Sequence, residues 1–136
     1  MTTNRKQISI TISAQSLYLP DQSAPEEQRF LWSYEIAIAN NGDEIIQLLN
    51  RYWRITDMTG RIEEVRGPGV IGLQPIIKPG KKFVYNSFCQ LSTPQGTMEG
   101  QYQMQTLDEV LFWVDIPKFI LTSPASLSAP LRAKLH

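Results

Sequence analysis

The residues best spaced for chemistry are three glycines, Gly67, Gly69 and Gly72, which form a Gly-x-Gly-x-x-Gly string. In nucleotide-binding proteins such a string opens a helix, whose free amide groups and dipole face a phosphate. Here Pro75 and Pro79 follow closely, and proline removes a backbone donor and clashes with a helical path. The string therefore predicts a tight loop that needs positive φ and close backbone approach.

A phosphate site remains an alternative for the same loop. Successive backbone amides can form an anion-binding nest without a helix, and Arg61 and Arg66 could add positive charge. Glu63 and Glu64 lie between these arginines and reduce that charge, so we favour the structural interpretation. The loop is still the best ligand candidate of the chain. The candidate residues for a ligand or partner are Arg61, Arg66, Gly67, Gly69, Gly72, Trp53 and Glu99.

A second motif, Arg51-Tyr52-Trp53-Arg54, alternates basic and aromatic residues, as a strand that stacks nucleic-acid bases would. Adjacent side chains of a strand point to opposite faces, so Tyr52 and Trp53 cannot form one stacking platform. We expect at least one of these two rings to be packed in the core.

Metal chemistry finds little support in the composition. A structural zinc site takes a set of Cys and His ligands, whereas this chain has one of each, Cys89 and the terminal His136. Carboxylates could hold a hard cation weakly, yet carboxylates in turns are usually only solvated. We therefore predict no metal site, although the acidic candidates would be Asp57, Glu63, Glu64 and Glu99.

Nucleophilic catalysis finds no support either. Cys89 shares the alternation of Phe83 and Tyr85, which predicts a buried thiol rather than a reactive thiolate. The chain has neither a Gly-x-Ser-x-Gly motif nor an internal histidine to act as a base, and no carboxylate pair stands out. We predict a protein without enzymatic activity, catalytic residues or a cofactor.

The elements that must position these residues are strands. Apolar residues alternate over Ile8–Ile12 and Phe30–Ile38, the period of strands with one buried face. Ile45–Asp57 is apolar on both parities, which indicates a strand covered on both faces or shifted by a bulge. About seven or eight strands at roughly 8–14-residue spacing predict an all-β, antiparallel two-sheet sandwich of the immunoglobulin or fibronectin type III kind.

One strand carries a finer signal. Gly100-x-Tyr102-x-Met104 matches the pattern of a tyrosine corner, with Met104 where antibody domains have their second cysteine. The alternative is an ordinary strand that contains a tyrosine.

Size and charge limit the class of protein. The 136 residues suit a single domain with a core at about 8–122 and a poorly ordered tail at 123–136. Lys+Arg and Asp+Glu both number 13, and the zero net charge argues against a general nucleic-acid binder. No apolar run approaches the ~20 residues that span a bilayer, so we expect a soluble cytoplasmic protein without membrane contact.

Several segments together resemble the ApaG family over about residues 8–122. They are, in the same order, Tyr18–Pro20, Pro25–Glu27, Gln47–Asp57, Gly60–Gly67, Gly69–Pro75, Pro79-Gly80 and Thr93–Gly100. The resemblance implies a fibronectin type III-like sandwich that acts as a binding module, since the domain also occurs in an F-box protein and in a DNA-polymerase-delta-interacting protein. Bacterial members are linked loosely with cobalt resistance and magnesium efflux, and their gene often neighbours that of a diadenosine tetraphosphate hydrolase.

One departure from the family concerns Tyr52, which stands where many members have histidine. Tyrosine does not replace imidazole as a base or ligand at neutral pH, so a metal or proton role of that histidine cannot be general.

These observations leave three functional hypotheses. The first is a protein-interaction module, with a protein partner or self-association. The second is binding of pyrophosphate or a dinucleotide polyphosphate, a phosphate-containing small ligand, at Gly67–Gly72. The third is an indirect role in metal efflux as a divalent-metal sensor.

Overall fold

The computed structural model describes residues 7–124, and nearly all of their regular structure is strand. Two single-turn 3₁₀ helices, Pro20–Gln22 and Pro25–Glu27, connect the first two strands. The strands are β1 Ile10–Tyr18, β2 Phe30–Asn40, β3 Ile46–Asp57, β4 Ile62–Pro68, β5 Ile76–Ile77, β6 Lys82–Leu91, β7 Gln95–Thr106 and β8 Leu111–Thr122.

The strands form two antiparallel sheets. One sheet has three strands in the order β1-β2-β6, and the other has the order β4-β3-β7-β8, with β5 paired to the start of β3 as its fifth strand. The predicted all-β, antiparallel two-sheet sandwich is therefore confirmed, with eight strands.

The core lies between the sheets and follows from alternation in the sequence. Along β2, Trp32, Ile36 and Ile38 are fully buried, while the residues between them face outward. From the other sheet Tyr102 and Met104 are also fully buried. Burying each large apolar side chain stabilises the fold by roughly 1.5–3 kcal/mol, which is why one period-two pattern decides the facing of a whole strand.

Strand β3 is apolar on both parities because it contains a bulge. Its register with β7 shifts between Leu48 and Asn50, so the extra residue reverses which parity faces inward. Before the shift Leu48 faces the core, and after it Trp53 and Ile55 do. The bulge alternative is therefore confirmed.

The tyrosine-corner interpretation of Tyr102 is wrong. Tyr102 lies in the middle of β7, and its hydroxyl hydrogen-bonds the hydroxyl of Tyr85 on the facing sheet rather than upstream backbone. Burial raises the pKa of both phenols well above their ordinary value, so both hydroxyls stay protonated. One hydroxyl donates the hydrogen bond and the other accepts it. The second alternative, an ordinary strand with a buried tyrosine, is correct.

The tail prediction lies largely outside the described residues, since 125–136 are not described. Ser123, the first residue of that predicted tail, is buried, and its hydroxyl donates to the carbonyl of Pro94 at 2.8 Å.

The two long sides of the sandwich differ. On one side β1 meets β8, where the Ser16 hydroxyl donates to the Ile120 carbonyl at 2.9 Å and the Trp32 indole donates to the Thr122 carbonyl at 2.7 Å. On the other side β4 and β6 border an open cleft of about 290 Å³. The sandwich is thus closed along one side and open along the other.

Candidate functional site

The glycine loop follows β4 and turns tightly. The amide and carbonyl of Val70 bond the carbonyl and amide of Leu73, both at 2.8 Å, which closes a two-residue turn. Ile71 and Gly72 form its tip with φ of 44° and 79°. Positive φ at both tip residues is the type I′ geometry, so the conformational role predicted for Gly72 is confirmed.

The other two glycines of the string serve different needs. Gly69 is buried with φ of 63°, and a Cβ there would lie 2.2 Å from the carbonyl oxygen of Leu73. Gly67 is the sixth residue of β4, and a Cβ there would lie 3.1 Å from the guanidinium of Arg51. Positive φ is thus required at Gly69, whereas Gly67 permits the close approach of a side chain.

Arg51 fastens this loop from β3. Its Nη1 donates to the carbonyls of Pro68 and Gly69, both at 3.0 Å. The amide of Gly69 donates to Leu49 at 2.8 Å, and that of Val70 is used in the turn. The loop therefore directs two carbonyl oxygens at the guanidinium of Arg51. The backbone amides of Gly69 and Val70 are already used in hydrogen bonds within the protein.

Trp53 belongs to the core. Its side chain is 3% exposed and makes edge-on ring contacts with Tyr34, Tyr102 and Phe119 at centroid distances of 5.6, 6.3 and 6.0 Å. The expectation that one ring of the motif is core is confirmed. Trp53 also lines the cleft between β4 and β6, so its candidate role in ligand contact stays a prediction. Tyr52 points the opposite way, onto the outer face of the five-stranded sheet.

Two neighbours on β4 hold Tyr52 in place. The guanidinium carbon of Arg66 lies 4.3 Å from the centre of the Tyr52 ring, a cation–π contact. The phenol hydrogen-bonds the carboxylate of Glu64, which raises the pKa of Tyr52, and Arg66 is 3.9 Å from the same carboxylate. The half-buried Tyr52 ring therefore has a defined orientation before any ligand binds.

Tyr52 forms one wall of a groove of about 580 Å³ on the outer face of the five-stranded sheet. Trp113 on β8, 51% exposed, forms part of the lining on the far side of β7. We call this the outer-face groove, and its lining residues are Asn50, Arg51, Tyr52, Arg66, Gly67, Pro68, Gln101, Gln103 and Trp113.

Amide side chains lie between the two aromatic residues. The Asn50 amide donates to the side-chain oxygen of Gln103 at 2.8 Å, and the Gln101 amide donates to Asp115 at 2.8 Å. The first bond leaves the side-chain oxygen of Asn50 as an acceptor and the amino group of Gln103 as a donor. The groove can thus offer both hydrogen-bonding roles beside two aromatic rings.

The remaining predicted residues lie in other places. Arg61 lines a cleft of about 370 Å³ on the open side of the sandwich, with Asp57 and Gln90. Glu99 lines a depression of about 340 Å³ beside Arg54 and Asp115. Of the sequence-predicted set, the outer-face groove contains Arg66 and Gly67, and the structure does not bring the whole set together.

Sequence reasoning did not select Trp113 as a candidate binding residue, because β8 has apolar residues at both odd and even positions. Leu111 and Trp113 point outward, whereas Phe112 and Val114 pack against the core. The signal available in the sequence was the outward parity of Trp113, yet assigning it required the register of β8 with β7, where Trp113 pairs with Gln103.

The acidic candidates and the thiol behave as ordinary structural groups. Asp57 Oδ1 accepts bonds from the Thr59 hydroxyl and amide and from the Arg61 amide, which cap the hairpin and lower the pKa of Asp57. Within residues 7–124 no group of three or more His, Cys, Asp or Glu side chains could hold a metal ion. Burial raises the pKa of Cys89 to about 12, which confirms the expectation of a buried thiol.

Within the same residues, no helix has the length and apolar character needed to cross a bilayer.

Comparisons with known proteins give a consistent result. The model of the ApaG domain family matches residues 20–106. A protein of Brucella anthropi named Protein ApaG is 55% identical over 115 residues, which cover 85% of this chain and 88% of that protein. A Protein ApaG of Rhizobium etli is 49% identical over 118 residues, covering 87% and 91%. The crystal structure of an ApaA protein from Bordetella pertussis is 41% identical, with a TM-score of 0.85 over 88% of this chain and 97% of that one.

Proposed function

Because this chain belongs to the ApaG domain family, we propose that it is a binding module that holds an extended segment of a partner protein in the outer-face groove, without bond chemistry. The observation that carries this proposal is the meeting of Tyr52, Trp113 and Arg66 on one exposed face. Trp, Tyr and Arg are the residue types most enriched among the hot spots of protein interfaces.

The spacing of the groove suits a single extended chain. Tyr52 pairs with Gln101 and Trp113 with Gln103, so the two aromatic residues stand on the strands either side of β7. Two strand spacings separate them laterally by about 9–10 Å, which is enough for one polypeptide backbone with its side chains against the rings. The side-chain oxygen of Asn50 and the amino group of Gln103, which their mutual bond does not use, would then bond the backbone of that segment.

The groove is also largely preformed. Glu64 and Arg66 hold the Tyr52 ring, and the Asn50–Gln103 bond holds two of the amides. Ordering a side chain on binding costs about 0.5–1.5 kcal/mol, so groups already held in place favour affinity. On this proposal, any link to cobalt resistance or magnesium efflux would be indirect and would depend on what the partner protein does. The cytoplasmic location stays a prediction.

Selection from a displayed library of random peptides tests this function, because it requires no identified partner. We expect enriched peptides to bind the native protein and to lose at least tenfold in affinity to Trp113→Ala and to Tyr52→Ala. Ile120→Ala is the matched control, since Ile120 is 56% exposed on the same strand but outside the groove. Peptides that bind Trp113→Ala as tightly as the native protein would contradict the proposal.

The alternative is a pyrophosphate or dinucleotide-polyphosphate site at the Gly67–Gly72 end of the groove. In its favour, Arg51 and Arg66 both line the groove, and among the described residues no carboxylate does. Against it, Arg51 and the amides of Gly69 and Val70 already have partners. We therefore rank it second.

Titration of ¹⁵N-labelled protein with magnesium pyrophosphate and with diadenosine tetraphosphate decides the alternative. Saturable amide shifts confined to residues 65–72, and lost in Arg66→Gln, would place it first. Arg66→Gln is preferable to a substitution of Gly69, because a side chain there meets the Leu73 backbone.

A further inference from the structure

Each sheet of the sandwich ends in two edge strands, and an edge strand presents unpaired backbone groups to any other chain. The edges are β1 and β6 in one sheet, and β8 and β4 in the other, where the two-residue β5 continues the β4 edge along the start of β3. Strands β1 and β8 lie against each other through the bond between Ser16 and Ile120. Strands β4 and β6 border the open cleft, so these two edges are accessible.

Strand β4 is protected from pairing by charge. Glu63 pairs with Ile55 and so occupies a core-facing position of β4, yet it is exposed at the cleft. A charged side chain that points inward on an edge strand is a common device against edge-to-edge association, because docking would bury it.

Strand β6 has no such protection. Its core-facing positions are uncharged, and its only charge is Lys82 at the first residue. It pairs with β2 from Phe83 to Leu91 without a register shift, so the edge is long and regular. On its outer face Val84 is 43% and Phe88 62% exposed. In the part of the chain that the structure describes, no strand pairs with the other side of β6.

The free backbone groups of β6 belong to its even-numbered residues. The amide of Asn40 on β2 donates to the carbonyl of Lys81 at 2.9 Å. Backbone groups alternate in direction along a strand, so odd-numbered residues face β2 and Val84, Asn86 and Phe88 present theirs to the free edge.

We propose that this edge is occupied by β6 of a second copy of the chain, antiparallel about a two-fold axis at Asn86. In that register Val84 of each copy faces Phe88 of the other, and Lys82 faces Gln90. The two three-stranded sheets become one continuous sheet across the axis. The proposal concerns the sheet opposite the outer-face groove and does not depend on the proposed function.

Three features favour a second copy over an unrelated strand. The two exposed apolar residues, Val84 and Phe88, lie symmetrically about Asn86, and pairs of aromatic and β-branched residues across strands are stabilising. Lys82 meets an uncharged residue rather than its own copy. The chain as a whole has zero net charge, so two copies do not repel each other at long range.

Light scattering after size exclusion, over a range of protein concentrations, tests the association. We expect the native protein to have twice the mass of one chain, and Phe88→Lys and Val84→Lys to shift the mass toward that of one chain. Leu17→Lys is the control, because Leu17 is 65% exposed on the same sheet but on β1. The circular dichroism of each variant shows whether the sandwich is intact.

A cysteine cross-link tests the register. Residues opposite each other in a hydrogen-bonded antiparallel pair have Cα atoms about 5.5 Å apart, which suits a disulfide. We expect Asn86→Cys to form a covalent dimer on mild oxidation and Glu35→Cys, one strand further in on the same row, to form none. The proposal is overturned if the native protein has the mass of one chain at every concentration or if Phe88→Lys leaves a dimer unchanged. It is also overturned if other peptides pair with β6 and a second copy of the chain does not.

Discussion

The guanidinium of Arg51 donates to the carbonyl of Gly69 at 3.0 Å, and the neighbouring Pro68 carbonyl accepts from the same nitrogen at the same distance. A side chain of β3 thereby fastens a loop that follows β4. This contact explains two glycines of the string, because Gly67 makes room for the guanidinium and Gly69 adopts the φ that turns its carbonyl toward it.

Removing this contact should loosen the loop. Arg51→Ala leaves two carbonyls without their charged donor, and a hydrogen bond to a charged group contributes about 1.5–3 kcal/mol. We expect the free energy of unfolding in urea to fall by about 2 kcal/mol, and the amides of residues 67–73 to exchange faster with solvent. Arg54→Ala, an exposed arginine on the same strand, should change stability by no more than about 0.5 kcal/mol. Equal losses in both variants would contradict the role of Arg51.

The glycines of the loop should differ in their tolerance of a side chain. Gly72→Ala meets open space and should cost only the strain of a left-handed residue, about 1–2 kcal/mol. Gly69→Ala adds a collision with the Leu73 carbonyl at 2.2 Å and should cost clearly more. Urea unfolding of the two variants measures the difference. A Gly69→Ala protein as stable as Gly72→Ala would show that the loop rearranges freely.

Replacing Trp53 should mainly lower stability, whereas replacing Trp113 should mainly weaken peptide binding. Trp53→Ala removes a core side chain that is 3% exposed and should destabilise the fold by about 3–5 kcal/mol. Trp113 is 51% exposed, so Trp113→Ala should change the free energy of unfolding by no more than about 0.5 kcal/mol, while it weakens peptide binding in the groove by the expected tenfold or more. Thermal and urea unfolding measure stability, and the selected peptides measure binding. A large loss of stability in Trp113→Ala would make its loss of binding uninformative.

Stability should fall in alkaline solution partly because of Cys89. Burial raises its pKa in the folded protein to about 12, from an ordinary value of 9.0. Above about pH 9 the unfolded chain therefore releases the thiol proton while the folded chain retains it, so the contribution present at lower pH is lost as the pH rises toward 12. We expect native protein to lose stability between pH 8 and 10 more steeply than Cys89→Ala. Parallel pH profiles of the two proteins would show that the thiol is solvated.

Much of the fold could be predicted from local patterns. The alternation in β2 identified its buried face. The double parity of β3 offered a bulge as one of two explanations, and the structure has that bulge between Leu48 and Asn50. The motif Gly100-x-Tyr102 left two alternatives, a tyrosine corner and a mid-strand tyrosine, because it is compatible with both. Which of the two forms depends on what faces the hydroxyl, and here that is Tyr85 on the other sheet.

The candidate site was less predictable. Proximity in sequence grouped Arg61 with Arg66, but alternation and strand direction send these side chains to different surfaces. The groove instead joins Tyr52 to Trp113 across β7.

By itself, then, the amino-acid sequence determined the strands, the buried face of those with a single apolar alternation, the tight glycine loop and the family, because each follows from short-range periodicity or from a contiguous motif. The tertiary structure alone decided which residues share a surface, since that depends on the order of strands in each sheet and on bulges that shift their register. It also decided that the sandwich is open beside β6, because an exposed edge is a property of which strands pair and leaves no local pattern in the chain.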